Sequence, residues 1–437
     1  MSEPAFKRIE LADIAERTSN SFVDGPFGSS LKSDEYTQAG IRLIQLQNIG
    51  INEWNDDNKK FISEQKFLSL QRHGAVPGDI AIAKMADPVA RACIVPEASK
   101  QFVVVADCIR LRPDTTKFVP SFIVKAINSP YTRQEAEKKA IGSTRIRINL
   151  STLKTVGCLV PPFDHQAKIA EILDTLDEAI RGTDAVIAKL KALKQGLMHD
   201  LLTRGIDANG NLRPLQSKAP HLYKESPLGW LPKEWEHLTV NELSRSSAIG
   251  PFGSDLVASD YRSEGVPVVF VRDIKPNNFS WRSNVFLDER KAQALLAHKV
   301  AAGDVVATKM GFPPCISAVY PSTMPDGIVT ADVVCVRPKL NLVRPEWLSI
   351  SLNSPNVQRQ VDQITAGVTR PKVTLRDVRE LKIALPEIHE QLAILERTLS
   401  IDNEIKGNGD ILDKLRLQKS GLMDDLLTGR VPVTPLL

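Results

Sequence analysis

The chain has 437 residues, of which 42% are hydrophobic and 25% are charged, a balance that is ordinary for soluble globular proteins. The formal net charge of +4 permits nucleic acid as a partner without requiring it. No apolar run approaches the ~18–20 residues that span a bilayer, the first residues lack the apolar core of a signal peptide, and none of the five cysteines forms a CxxC motif. We therefore expect a cytoplasmic protein with reduced, buried thiols.

An internal repeat is the most informative feature of the sequence. Residues 25–29, Gly-Pro-Phe-Gly-Ser, recur as residues 250–254, a shift of 225 positions. The same shift aligns Lys84-Met85 with Lys309-Met310 and Ala106-Asp107 with Ala331-Asp332, and it still holds at residues 196–198 and 421–423. A shift that stays constant over the length of a domain predicts two similar domains with pseudo-twofold symmetry, which suits a target that is itself approximately twofold.

Each copy begins with a segment of mixed secondary structure. Short apolar runs that Gly and Pro interrupt predict strands at residues 41–46, 79–83 and 102–106 in the first copy and at 266–271, 304–307 and 333–336 in the second. Short helices are predicted at residues 122–128 and 347–353. This mixture predicts α+β domains rather than a doubly wound parallel sheet.

Each mixed segment leads into one long helix with a heptad seam. In the first helix the apolar seam positions are Ile169, Leu173, Leu176, Ile180, Ile187, Leu190, Leu197 and Leu201, with Thr183 and Lys194 at the two polar ones. In the second helix they are Ile394, Ile401, Ile405, Leu412, Leu415, Leu422 and Leu426, with Asn408 and Lys419 at the matching polar positions. Because neither seam is stable in water, we expect the two helices to pack on each other as an antiparallel coiled coil.

These patterns divide the chain into six segments. They are a mixed domain at residues 1–163, a helix at 164–204, a connector at 205–225, a second mixed domain at 226–385, a second helix at 386–430 and a tail at 431–437. Gly407 and Gly409 lie inside the second helix, where each costs ~1 kcal/mol, so we expect the helix to bend or fray there.

Sequence motifs for catalysis are absent. The chain has no GxxxxGK[ST], GxGxxG or GxSxG pattern, and its seven histidines show no metal-ligand spacing. Val160-Pro161-Pro162-Phe163 differs from the Asn/Asp-Pro-Pro-aromatic motif of amino-methyltransferases, because valine cannot accept hydrogen bonds from a target amine. Asp114 followed by Glu137-Lys138-Lys139 is similar to a nuclease pattern, but the second copy has Lys339 in place of Asp114. We interpret these two segments as a helix lead-in and a solvated helical face.

Three polar loops recur in both copies and carry basic residues. They are residues 25–32 with 250–257, 84–91 with 309–316, and 142–147 with 367–372. Backbone N–H groups, hydroxyls and Arg or Lys side chains at such turns suit contacts to DNA phosphates and base edges. Taken singly, each loop is better explained as an ordinary turn, but the recurrence of all three with a basic residue in both copies favours a binding role. The candidate DNA-binding residues are Ser29, Ser30, Lys32, Gln47, Asn48, Lys84, Arg91, Thr144, Arg145, Arg147, Ser254, Asp255, Arg272, Lys309, Thr369, Arg370 and Lys372.

Polar positions at which the two copies differ are candidates for reading different DNA sequences. Gln or Asn favours adenine, Arg favours guanine, and Asp can accept from cytosine. The pairs Gln47/Arg272 and Asn48/Asp273 have this chemistry. For any single pair, neutral drift of a surface position is the better explanation. Because many such pairs differ, we expect the two halves of the DNA target to differ.

The duplicated loops and long helices together resemble the specificity subunit of type I restriction–modification enzymes. The segment from the GPFGS loop to the GSTR loop in each copy resembles a target-recognition domain, and residues 193–203 and 417–428 resemble the endings of that family's two spacer helices. The resemblance covers nearly the whole chain. It implies a non-catalytic DNA-binding subunit whose two target-recognition domains, residues 1–163 and 226–385, read a bipartite asymmetric site on double-stranded DNA.

The resemblance also implies partners that supply the chemistry. The spacer helices would dock two adenine-N6 methyltransferase subunits, which bind S-adenosylmethionine, and an ATP-dependent translocating nuclease subunit would join them with ATP and Mg. The chain itself would bind no cofactor and no metal. An architectural DNA-binding or scaffold protein without enzyme partners would explain the duplication and the helices equally well. A self-contained nuclease or methyltransferase would need an intact catalytic motif, which the sequence lacks.

Overall fold

The computed structural model describes residues 6–27, 30–85, 88–142, 146–365 and 369–437. The chain forms two compact units, of which the first comprises Met1–Val186 with Asn408–Leu437 and the second comprises Ile187–Gly407. Each unit therefore contains one mixed domain, the first part of one long helix and the last part of the other. No helix in the described part of the chain is long and apolar enough to cross a membrane.

Within its described residues, the first unit contains ten strands and the first six α-helices. Its strands are β1 (Lys7–Glu10), β2 (Phe22–Asp24), β3 (Ile41–Ile44), β4 (Phe61–Ile62), β5 (Gly74–Ala75), β6 (Ile80–Ala83), β7 (Ala92–Ile94), β8 (Phe102–Val104), β9 (Cys108–Leu111) and β10 (Gly157–Val160). Its helices are α1 (Leu11–Ile14), α2 (Glu64–Leu70), α3 (Pro120–Ile127), α4 (Pro130–Lys139), α5 (Leu150–Lys154) and α6 (Phe163–Thr203), the last of which continues into the second unit.

The strands of the first unit form two four-stranded sheets and one strand pair. The first sheet has the order β2-β9-β6-β7 and is antiparallel, and the second has the order β4-β3-β8-β5 with β3 and β8 parallel. The strand pair β1-β10 joins the two ends of the mixed domain. Strand β6 is buried on both faces, because Ile80 and Ile82 enter the main core while Ala81 and Ala83 enter a second, smaller core.

The second unit repeats these elements and adds a hairpin before them. Its strands are β11 (Tyr223–Ser226), β12 (Gly229–Pro232), β13 (Glu236–Thr239), β14 (Ser244–Ile249), β15 (Tyr261–Arg262), β16 (Val266–Val269), β17 (Ile274–Lys275), β18 (Asn278–Phe279), β19 (Phe286–Leu287), β20 (Lys299–Val300), β21 (Val305–Thr308), β22 (Ser317–Val319), β23 (Gly327–Val329), β24 (Val333–Pro338) and β25 (Lys382–Leu385). Its helices are α7 (Val240–Leu243), α8 (Glu289–Ala294), α9 (Pro345–Leu352), α10 (Pro355–Thr365), α11 (Leu375–Glu380) and α12 (Ile388–Thr428), the last of which continues into the first unit.

The sheet orders of the second unit match those of the first, except that the mixed sheet gains the edge strand β15 and a separate strand pair β17-β18 is added. The antiparallel sheet has the order β14-β24-β21-β22, and the mixed sheet has the order β15-β19-β16-β23-β20 with β16 and β23 parallel. The strand pair β13-β25 again joins the ends of the mixed domain. Each of the strands and short helices predicted from the sequence is confirmed within a few residues, and the α+β fold class is confirmed with them.

The heptad seam of the two long helices is confirmed. Every predicted seam position, the polar ones included, is buried or half-buried, whereas most of the neighbouring positions are exposed. Helix α12 runs without interruption through Gly407 and Gly409, so the expected fraying does not occur. A Cβ at either glycine would meet no other atom within 4 Å, so no close packing requires glycine there.

Matched ion pairs connect the two helices in each unit. In the first unit Lys419 of α12 pairs with Asp177 of α6, and in the second unit Lys194 of α6 pairs with Asp402 of α12. The repeat aligns Lys194 with Lys419 and Asp177 with Asp402, so the same pair is made twice with the helices exchanged. Arg416 lies 3.2 Å from Asp184 in the first unit, which fixes the local direction of the pairing as antiparallel.

A buried glutamine fastens the start of each long helix to its mixed domain. Gln166 accepts from the backbone N–H of Val119 at 3.0 Å and donates to the carbonyls of Lys117 and Pro161 at 3.2 and 3.0 Å. Gln391 makes the same three bonds, each at 2.9 Å, to the backbone of the aligned residues in the second unit. These bonds satisfy backbone groups that burial would otherwise leave unpaired.

The connector at residues 205–225 is a packed part of the second unit. Glu390 is buried at its centre and accepts from the backbone N–H of Ile206 at 2.8 Å, from Arg213 at 2.6 and 3.2 Å, and from the Trp235 indole at 3.0 Å. The first unit has His165 at the position that aligns with Glu390. This four-residue network is therefore specific to the second unit.

Candidate nucleic-acid interface

The start of the GPFGS loop is set by a close backbone approach in both units. A Cβ at Gly25 would overlap the carbonyl of Val105, and a Cβ at Gly250 would overlap the backbone of Val329 and Thr330. Glycine is therefore required at this point, and the following phenylalanine is turned outward. Phe27 remains 59% exposed, although large apolar side chains are usually buried.

The first unit brings three of the predicted loops together in one cluster. The backbone N–H of Lys84 donates to the carbonyl of Asp107 at 2.9 Å, and Met85 pairs with Arg147 through a backbone bridge. The Lys84 ammonium lies 4.5 Å from the centre of the Phe27 ring, while Arg147 donates to Asp107 at 2.7 Å. We refer to these five residues as the first loop cluster.

The second unit builds the same cluster from the aligned residues. Lys309 donates through its backbone N–H to Asp332 at 2.8 Å and lies 5.0 Å from the Phe252 ring centre, while Met310 pairs with Lys372 through a backbone bridge. The Lys372 ammonium is 3.7 Å from Asp332. We refer to Phe252, Lys309, Met310, Asp332 and Lys372 as the second loop cluster.

The lysines at the centre of the two clusters are buried and differ in their partners. Lys84 is 3% exposed and pairs with Asp24 at 3.2 Å. Lys309 is 5% exposed and donates to the carbonyl of Ala331 at 3.1 Å. Burial lowers the pKa of Lys309, and the nearby charge of Lys372 lowers it further.

A cleft lies beside each cluster. In the second unit it has a volume of about 510 Å³ and is lined in part by Gly253, Arg272, Met310 and Asp332. In the first unit a cleft on another side of the cluster has a volume of about 440 Å³ and is lined by Met85, Ile141, Arg147 and Asn149, so the two clefts share only the aligned methionine. Each cleft thus has at least one basic side chain on its wall, which suits an anionic polymer such as a nucleic acid.

Several of the predicted residues have exposed side chains. Arg272 stands over the Phe270 ring at 4.2 Å. The other exposed members of the predicted set are Ser30, Lys32, Gln47, Arg147, Ser254, Asp255, Thr369, Arg370 and Lys372. Ser29, Thr144 and Arg145 lie outside the described residues.

Three predicted residues have structural roles. Asn48 and Asp273 are completely buried and hold their turns by accepting from the backbone N–H of Gln45 and Phe270, each at 2.9 Å. Arg91 donates to the carbonyls of Ile49 and Leu46 at 2.6 and 2.8 Å. Because a side chain without exposed surface cannot reach a base edge, we remove Asn48 and Asp273 from the set of base readers, and we assign Arg91 to positioning the loop.

Besides the two methionines, four residues of the clusters are not among the DNA-binding residues predicted from the sequence. These are Phe27, Asp107 and their counterparts Phe252 and Asp332. The repeat itself contained the signal, since all four are identical between the copies at the shift of 225 positions. Identity between the copies marks the common frame of the clusters, whereas differing polar positions indicate candidate contacts to bases.

Comparisons with known proteins agree on one family. The family model described as the type I restriction modification DNA specificity domain matches residues 34–192. The MjaX type I restriction enzyme specificity subunit of Methanocaldococcus jannaschii is 22% identical over 447 aligned positions, which cover 99% of this chain and 97% of that protein.

Solved structures show the same fold over the full length. The S subunit of a type I restriction–modification system from M. genitalium superposes with a TM-score of 0.57 at 14% identity, covering 98% of this chain and 97% of that one. A chain from a structure of type I restriction–modification complex assembly superposes with a TM-score of 0.58 at 14% identity, covering 99% and 100%.

The fold defines a protein with two similar mixed domains, each carrying one loop cluster, and two long helices that pair in antiparallel orientation. Residues 34–192 match the type I restriction modification DNA specificity domain, and the chain over its full length is similar in sequence and in fold to specificity subunits of type I restriction–modification systems.

Proposed function

We propose that the chain is the DNA-reading subunit of a type I restriction–modification complex and that each unit reads one half of a bipartite, asymmetric site. The observation that carries this proposal is the loop cluster, which the chain builds twice on the same backbone frame, once in each unit. A protein that reads two half-sites needs two such surfaces, and a protein that reads different half-sites needs them to differ in their side chains.

The exposed side chains around the clusters supply the two kinds of contact that DNA recognition uses. Arg147, Lys372 and Arg370 are cations suited to phosphates, which position the protein on the duplex. Gln47 and Arg272 occupy aligned, exposed positions, and their amide and guanidinium groups favour adenine and guanine respectively. The two half-sites are accordingly expected to differ at the base pairs that these two side chains contact.

The long helices support the second part of the proposal, which is that the chain docks two adenine-N6 methyltransferase subunits. Val186, Leu193, Ile411 and Leu417 lie on these helices and are between 46% and 75% exposed. Exposed apolar side chains on a helix are typical of a surface that a partner covers. The methyltransferase subunits would bind S-adenosylmethionine, and an ATP-dependent nuclease subunit would join them with ATP and Mg, while this chain would perform no catalysis.

The test is a map of N6-methyladenine in a host that expresses the chain with a cognate methyltransferase, the methyltransferase alone, or the chain alone. The proposal predicts a split motif that is present only when both proteins are expressed. Absence of a motif, in a host where both proteins are made and copurify, would contradict the reading role. Failure to copurify, with DNA binding retained, would favour a DNA-binding scaffold without enzyme partners.

A further inference from the structure

A second polar cavity lies in the first unit at the far end of strand β9 from the first loop cluster. Asp107 of that cluster precedes the strand, and Arg112 follows it. The cavity has a volume of about 490 Å³, and its polar wall is formed by Asn20, Gln71, Arg72, Gln101, Arg110 and Arg112. We refer to it as the arginine pocket.

Within the described part of the chain, Arg112 is the one arginine of this pocket that contacts a carboxylate directly. Arg112 makes a bidentate ion pair with Asp79, with N–O distances of 2.8 and 2.9 Å. Arg110 is only 3% exposed, yet its one hydrogen bond goes to the carbonyl of Asn20, and its Nε has no acceptor among the described residues. Arg72 is exposed and makes no hydrogen bond or ion pair within the described part of the chain.

Arg110 is therefore a buried charge without a carboxylate in direct contact among the described residues. Burial is the largest influence on the pKa of Arg110 and lowers it, and the charge of Arg112 acts in the same direction against the opposing charges of Asp79 and Glu16. A guanidinium at this depth that shares its nearby carboxylate, Asp79, with a second arginine is costly. An anion in the pocket would remove that cost.

The second unit shows that the fold does not need these charges. Arg112 and Asp79 have counterparts in Arg337 and Asp304, but three other positions of the pocket change, with Ala297 for Arg72, Cys335 for Arg110 and Asp326 for Gln101. Asp326 is moreover neutralised by Lys299 at 2.6 Å. Since the same strand is buried and regular with Cys335 in place of Arg110, a sheet of this order does not require an arginine at this position.

We propose that the arginine pocket binds a phosphate-type oxyanion. Guanidinium groups present paired N–H donors that match the oxygens of phosphate, and the amide side chains of Gln71 and Gln101 on the same wall add neutral donors. The oxyanion comes either from a phosphodiester of the DNA that flanks the target or from a free phosphate-bearing anion. Both sources share one chemistry, and two binding experiments separate them.

The first experiment titrates inorganic phosphate into the full-length chain by calorimetry at constant ionic strength, with chloride as the control anion. The variants are Arg72→Ala and Arg110→Cys, of which the latter places the second unit's own residue in the pocket. Arg290→Ala is the matched control, since it removes an equally exposed arginine from helix α8. We expect phosphate to bind the wild type and Arg290→Ala equally, and each pocket variant to bind it at least tenfold more weakly.

The second experiment measures the affinity of the same four proteins for double-stranded DNA as a function of salt. If the oxyanion is a DNA phosphodiester, each pocket variant weakens DNA binding and makes the salt dependence shallower by about one counter-ion, while Arg290→Ala does not. If the oxyanion is free, DNA binding is unchanged and only phosphate binding falls. The proposal is overturned if the wild type binds phosphate no better than chloride and the pocket variants bind DNA as Arg290→Ala does.

These outcomes are separable from the proposed function. The phosphate titration uses no DNA and no partner, so it retains its meaning if the DNA-reading role fails. Thermal unfolding of each variant shows that it is folded, and Arg72, which is exposed on a short turn, is a position where a loss of binding does not come from a loss of structure.

Discussion

The two loop clusters have one backbone frame and different electrostatics. In both, hydrogen bonds of the central lysine's backbone hold the loops together, so the frame does not depend on the side chains. Lys84 has the carboxylate of Asp24 beside it, whereas Lys309 has a carbonyl, because the residue that aligns with Asp24 is Ile249. A frame fixed by main-chain bonds lets the side chains of the two copies diverge, which is what two readers of different half-sites require.

The same contrast between shared frame and divergent side chains extends to the helices. Gln166 and Gln391 make identical bonds in the two units, while Glu390 and His165 occupy aligned positions with different surroundings. Variants at aligned positions therefore measure which features are duplicated and which belong to one unit.

The largest difference in unfolding free energy between variants at aligned positions is expected for Glu390 and His165. Replacement of Glu390 by Ala leaves the buried Arg213 guanidinium without its carboxylate and should lower the free energy of unfolding by about 3–5 kcal/mol. His165→Ala, the aligned change in the first unit, should cost about 1 kcal/mol, because no ionic network is lost there. Urea unfolding followed by circular dichroism gives both values, and equal losses would show that the Glu390 network is not what stabilises the connector.

Loss of the buried glutamine at the start of each long helix should destabilise the two units equally. Gln166→Leu and Gln391→Leu each leave one backbone N–H and two carbonyls buried without partners, which should cost about 2–3 kcal/mol in either unit. Unfolding of the two variants under identical conditions is the measurement. A difference of more than about 1 kcal/mol between them would mean that the matched bonds are not energetically equivalent.

The central lysines should respond in opposite ways. Lys84→Met leaves Asp24 unpaired and should cost about 1–2 kcal/mol, whereas Lys309→Met removes a charge without a carboxylate partner and should be neutral or slightly stabilising. A destabilised Lys309→Met together with an unaffected Lys84→Met would reverse the electrostatic assignment of the two clusters.

Lys309 also predicts a dependence of stability on pH. Because its pKa is lower in the folded chain than the ordinary 10.5, the unfolded chain binds the proton more tightly. The cost of the charged lysine is then fully present at neutral pH and is relieved as the pH rises through the lowered pKa toward 10.5. The free energy of unfolding of the wild type should rise over that window relative to Lys309→Met, and parallel pH profiles would contradict the prediction.

The smallest effect concerns the matched ion pairs of the helices. Asp402→Asn should cost about 0.5 kcal/mol, since both partners are partly exposed and salt screens the pair. Asp177→Asn should cost about 1–2 kcal/mol, because Asp177 also lies 3.6 Å from the buried Lys125, where the second unit has Ile350. Thermal unfolding at low and high salt compares the two variants. An equal loss of stability would show that the contact between Asp177 and Lys125 does not contribute.

The fold was largely predictable because its two periodicities are strong. The seam of α6 and α12 and the strands around Ile82 and Val306 follow from the spacing of apolar residues alone. The packing of the connector around Glu390 was not predictable, since a single acid gives no sign of burial, and Gly407 and Gly409 were overridden by the rest of helix α12.

The candidate site was predictable in part. The repeat located Lys84, Lys309 and their loops, but it did not distinguish residues that could contact bases from residues that hold a turn in place. Asn48 and Asp273 differ between the copies, yet both hold a turn in place, because either side chain can accept a hydrogen bond from the backbone N–H of its own turn. Their position three residues after the start of a turn was the signal that could have identified this role.

The central claim is that each unit reads its own half of the DNA site, and a chimera tests it most directly. Residues 6–160 are replaced by residues 231–385, which the constant shift of the repeat allows without insertion. Methylation is then mapped in a host that also expresses the methyltransferase, after thermal unfolding has shown that the chimera is folded. The account predicts that the asymmetric motif becomes an inverted repeat of the second half-site. A folded chimera that still methylates the original asymmetric motif would contradict the account.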